Sequence, residues 1–218
     1  MSDLLQIASH GRAGLPLDVL VSLSVLGIAP FILVMTTSFV RIVIVLSLVR
    51  SAIGASSLPP NAVLTGLALM LTFVIMSPTI GRVSREALEP YAAGRISQSE
   101  MLARGFEPLR SFMLRQTHDK DLALFARLAR ERPSSAGAAP PDVLLPAFVV
   151  GELRSAFAIG FALYLPFVAI DLAVASILMG LGMFMLSPPI VSLPCKLLLF
   201  VMIDGWALVC SGIVSTFR

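Results

Sequence analysis

Charge is scarce in this chain: 13% of its 218 residues are Asp, Glu, Lys or Arg, while 57% are hydrophobic. A soluble globule carries about 25% charged residues, so this balance excludes one and makes lipid or other apolar protein the solvent for much of the chain. Histidine and cysteine are as rare, with two of each. Cys195 and Cys210 lie in apolar sequence with no CxxC spacing and no neighbouring histidine, and they read as buried thiols. His10 and His118 fall outside the hydrophobic segments, and neither HExxH nor GxSxG occurs, which argues against a membrane enzyme. No metal site, cofactor or catalytic residue is expected. The net charge of +3 is small and the basic residues form no run able to grip nucleic acid. Residues 1–17 lack a basic start, a short apolar core and a small-residue cleavage site, so no cleaved signal peptide is expected.

What the chain has in quantity is uncharged sequence. Residues 19–40 and 51–81 contain no charged side chain, and each run exceeds the roughly 20 residues a helix needs to cross a bilayer. A third run, 155–195, is interrupted by Asp171 alone, and a fourth, 197–217, by Asp204 alone. The expectation is an all-α membrane protein with four hydrophobic segments in two hairpins: 1–81 as the first, 82–142 as a hydrophilic helical region, and 143–218 as the second. Residues 82–154 hold 11 of the 16 basic and 9 of the 13 acidic residues, so this middle part is built for water.

Within it, Ser97 and Glu100 fit a capping box, which predicts a helix from about Ser97 with an apolar stripe through Phe106, Leu109, Phe112 and Met113. Pro108 should break or kink that helix. A second amphipathic helix is predicted from near Asp119, ending before Pro133. Residues 133–141, rich in proline, serine, glycine and alanine, read as a flexible connection. Arg41 and Arg50, towards the first short turn, and Lys196, between the last two segments, favour the cytoplasmic side and leave the middle region facing the periplasm.

Prolines at 30, 78, 166, 188, 189 and 194 interrupt the apolar runs. Each removes an amide donor, which is tolerated at membrane depth only where protein or water satisfies what is freed. Ser187-Pro188-Pro189 should end the helix carrying Met179 to Met185 in a re-entrant or pore-lining turn. Asp171 and Asp204 are costly in lipid and mark interior faces. Two readings of them stand: pairing with Lys196, Arg41 or backbone amides to fix packing, or proton relay and substrate contact. Met183 and Met185, beside Gly180 and Gly182, fit either core filler or, in several copies around an axis, a deformable apolar seal.

Several blocks of sequence recur in one known family. The stretch 35–47, with Thr36-Thr37-Ser38-Phe39-Val40-Arg41, resembles the opening motif of the R/P (SctR/FliP) proteins of type III export, and Pro59-Pro60-Asn61 continues it. Further similar blocks run through Pro108 to Thr117, Pro146-Ala147-Phe148 with Glu152-Leu153, Ile170-Asp171-Leu172, and Gly182 through Leu193-Pro194, Lys196 and Asp204-Gly205-Trp206, all in the family order. The resemblance implies a ring of identical chains, expected as a pentamer, in the bacterial inner membrane with part of the assembly in the periplasm. Its implied partners are the small S and T proteins, the large export-gate and switch proteins, and unfolded secreted polypeptides. The family's methionine gasket maps onto Met183, Phe184 and Met185 as the pore constriction, with Phe184 where relatives commonly carry methionine. Asp171, Lys196, Asp204 and Arg41 are then packing or assembly contacts. Ser187-Pro188 looks closer to the injectisome branch than to the flagellar one. A small secondary transporter with broken helices is the alternative, and it requires repeated halves that the sequence does not contain.

Overall fold

A computed structural model describes residues 27, 30–55, 58–130 and 139–217. The start of the first hydrophobic run, most of the 133–141 connection, and His10 lie outside the described residues. The chain divides into two units, 1–35 and 36–218, and the second carries everything that follows. Its elements are α1 (Phe39–Ile53), α2 (Asn61–Val83), a π turn (Ser84–Leu88) leading into the short α3 (Glu89–Ala92), α4 (Gln98–Gln116), α5 (Asp119–Leu128), α6 (Pro141–Gly180), α7 (Pro188–Met202) and α8 (Gly205–Ser215). No strand occurs among the described residues. The protein is an all-α membrane protein.

Helix α6 is the spine. Its 40 residues give about 60 Å of length at 1.5 Å per residue, twice the roughly 30 Å of a bilayer core. It and the continuous helix Asn61–Ala92 are both long and apolar enough to cross a membrane. Helices α7 and α8 meet that test only as a pair, bent by 65° at their junction. Helices α1, α4, α5 and α7 all pack against α6.

Two apolar cores form along the spine. One joins Ile42, Leu46 and Val49 of α1 to Leu64 and Ala68 of α2, Ala156 and Phe167 of α6, Phe200 of α7 and Ile213 of α8. Gly160 lets α1 approach α6: a Cβ there would stand 2.2 Å from a Leu48 methyl. The other core joins Phe112 and Met113 of α4 to Leu122 of α5 and to Val143, Leu144 and Phe148 of α6. The charged middle region thus shares its core with the first turns of α6.

Local signals in that region match its helices. The Ser97 hydroxyl accepts from the Glu100 amide at 3.3 Å, and α4 starts at the next residue. Helix α5 runs from Asp119 to Leu128, as its acidic first turn suggests. The prolines behave otherwise than expected. Pro108 breaks nothing, since α4 continues to Gln116, and Pro78, Pro166 and Pro194 likewise lie inside continuous helices.

Candidate functional site

The junction between α6 and α7 departs from the reading of the sequence. The helix ends at Gly180, before the methionine pair, and Pro188 and Pro189 open α7 instead of closing α6. Proline suits a first helical position, where an amide is unpaired in any case. What ends α6 is Gly182, whose φ of 74° is open to glycine and strained for most other residues. Residues 181–187 therefore form a tight turn, not a helix end.

This turn is apolar and bare. Met183 is 42% exposed, Phe184 80%, and Met185 fully, with Leu181, Leu186 and Ile190 exposed around them. The Met183 amide donates to the Leu178 carbonyl at 2.9 Å, but among the described residues the amides of Phe184 and Met185 find no carbonyl. Two large side chains largely uncovered by the described residues, Phe184 and Met185, on amides without a carbonyl, beside a half-covered Met183, suit neither water nor hydrocarbon.

Behind the turn, a polar clamp ties its two flanking helices together. Lys196 of α7 donates to Asp171 of α6 at 2.6 Å and to the Ala52 carbonyl at the end of α1 at 3.3 Å. Ser192 donates to the other Asp171 oxygen at 2.5 Å. Lys196 is only 5% exposed, so an unpaired ammonium there would be strongly unfavourable. Lys196 was expected between segments and lies inside α7 instead, because Asp171 draws it inward.

Arg41 is likewise no loop residue. It sits in the first turn of α1, buried, and its partner is neither aspartate but Glu152 of α6, with Nε donating to Oε2 at 2.9 Å and Nη2 to Oε1. The guanidinium also reaches the Thr216 carbonyl and hydroxyl at 3.3 and 3.2 Å and lies 3.9 Å over the Phe217 ring. Glu152 was missed as a site residue. The signal available was a lone carboxylate between Val150 and Leu153 in an otherwise apolar run, which was counted with the hydrophilic region. A second missed pair is Asp121 with Arg154, bidentate at 2.7 Å on each arm, which locks α5 onto α6.

Asp204 joins none of these groups. It is exposed, with φ 50° and ψ 53°, at the bend between α7 and α8, where its carbonyl accepts from Leu208. Cys195, expected to be buried, is exposed, and Cys210 is half-buried. Their apolar surroundings in sequence reflect outward helix faces, not the interior of one chain.

Against this geometry the comparisons are decisive on ancestry. The FliP family matches residues 22–213 of the chain. The chain belongs to the FliP family. It is 53% identical over 205 residues to the flagellar biosynthetic protein FliP of Pectobacterium carotovorum subsp. carotovorum, covering 93% of this chain and 79% of that protein. Against the protein of the same name from Bacillus subtilis (strain 168) it is 47% identical, covering 91% and 90%. Against that of Aquifex aeolicus (strain VF5) it is 44% identical, covering 91% and 84%. These FliP relatives are flagellar by name, so the leaning of Ser187-Pro188 towards the injectisome branch draws no support from them.

Proposed function

We propose that this chain is a core subunit of a type III protein-export apparatus, the flagellar one by its relatives. Identical copies, five in the expected ring, place the 181–187 turns around one axis in the bacterial inner membrane. Met183, Phe184 and Met185 close the pore at rest. Unfolded polypeptides pass when that layer parts, and no bond chemistry is involved. The small S and T components complete the ring, the large export-gate and switch proteins adjoin it, and part of the assembly stands in the periplasm.

The observation that carries this reading is the bare apolar turn. Each large apolar side chain left in water forgoes about 1.5–3 kcal/mol, and unpaired amides exclude the hydrocarbon. The environment that meets both demands is a protein-lined axis made by copies of the same turn. Phe184 keeps that layer apolar while making it stiffer than methionine alone. The Lys196–Asp171–Ser192 clamp holds the turn at a fixed position on the hairpin. A small secondary transporter would need repeated halves, and the sequence shows no internal repeat.

The test is electrical. Resting membranes containing the assembled complex with Met183→Ala and Met185→Ala together should leak small ions well above the unmodified complex. Unchanged conductance in a complex of normal size would remove the constriction from this turn.

A further inference from the structure

Away from the turn, the end of α1, the start of α2 and the α7–α8 bend enclose a groove of about 640 Å³. Every described residue lining it is apolar or glycine, with Val63, Leu67, Leu193, Leu197 and Trp206 among them. For scale, an apolar cavity of about 150 Å³ holds a benzene ring, so this groove has room for a chain of many methylenes. Its rim is cationic. Arg50, in the last turn of α1, donates to the carbonyl of Pro59, a lining residue, at 3.3 Å, and to the Asn61 side-chain oxygen at 2.5 Å. Both acceptors are neutral, so the Arg50 charge has no carboxylate to balance it among the described residues. The nearby Lys196 differs, being neutralised by Asp171.

We propose that this groove binds a phospholipid with an anionic headgroup, one acyl chain lying along Leu67, Leu197 and Trp206 and the phosphate meeting Arg50. Charge complementarity selects the occupant: an apolar helix would fill the groove but leave the arginine uncompensated. Trp206 fits the same picture, because tryptophan settles where hydrocarbon meets headgroups. The inference is independent of the ring and of the constriction.

The chain contains one tryptophan, and it lines the groove, so its fluorescence reports occupancy directly. The full chain is reconstituted in phosphatidylcholine vesicles containing a small fraction of lipid brominated on its acyl chains, as either phosphatidylglycerol or phosphatidylcholine. Bromine quenches on near contact. The brominated phosphatidylglycerol should quench at about fivefold lower mole fraction, the factor set by one arginine near a headgroup of net negative charge, since in phosphatidylcholine the choline cation offsets the phosphate. Arg50→Gln should abolish that preference while leaving quenching by both lipids, and Arg50→Lys should keep it. Equal quenching of the unmodified chain by the two lipids overturns the proposal. So does a preference that survives Arg50→Gln. Absence of quenching by either lipid marks the groove as closed or held by a protein segment, and overturns it as well.

Discussion

Glu152 and Arg41 show how a single buried contact organises a chain with little charge. Both are almost wholly buried, and the guanidinium bridges α1, α6 and the segment after α8. Removing one partner leaves the other uncompensated, at about 3–5 kcal/mol, whereas replacing both with apolar groups is often neutral. Arg41→Ala should therefore lower the thermal midpoint of the detergent-solubilised protein sharply. Arg41→Met combined with Glu152→Leu should recover most of the loss, and a double variant no more stable than the single would refute the pairing as the cause. Arg41 itself was legible in the sequence as an unusual residue; its partner was not. The two lie 111 positions apart, and with several acidic residues to choose from, spacing alone cannot match them. Asp171 and Lys196, 25 apart on adjoining helices, were matched because few other partners were on offer.

At the scale of elements, the close crossing of α1 and α6 rests on the missing side chain of Gly160. Gly160→Leu should push α1 away and cost about 1–3 kcal/mol, measured as a lowered unfolding midpoint. Leu48→Ala in the same chain should restore most of it, because Leu48 is the atom group in the way. Helix boundaries in the water-facing region were readable from local signals, the Ser97 cap and the acidic first turn at Asp119. Pro108 does not break α4, because packing along α6 and its neighbours outweighs one lost hydrogen bond. The proline rule failed differently at Pro188, where proline starts a helix as readily as it ends one. The 40-residue length of α6 was hidden because Glu152 and Arg154 read as the edge of a hydrophilic region, when their partners Arg41 and Asp121 allow them to sit within the helix.

For the whole molecule, the remaining anomaly is the amount of apolar surface the single chain leaves uncovered. Phe157, Phe161, Leu165, Leu172 and Met179 stand exposed along α6, and Met202 and Leu208 on the bent pair. Some of this surface suits lipid; the tip of the turn at 181–187 does not, since the amides of Phe184 and Met185 find no carbonyl among the described residues. The sequence named Met183, Phe184 and Met185 through their resemblance to family members, while periodicity alone favoured core filler over a seal. The turn geometry supplies the physical reason to prefer the seal. The most direct measurement places a single thiol at its tip: Met185→Cys in a chain whose Cys195 and Cys210 are replaced by serine, assembled with its partners and mildly oxidised. Turns meeting at one axis require disulfide-linked pairs of this chain in high yield. Assembled particles of normal size that yield only unlinked chains would contradict the account.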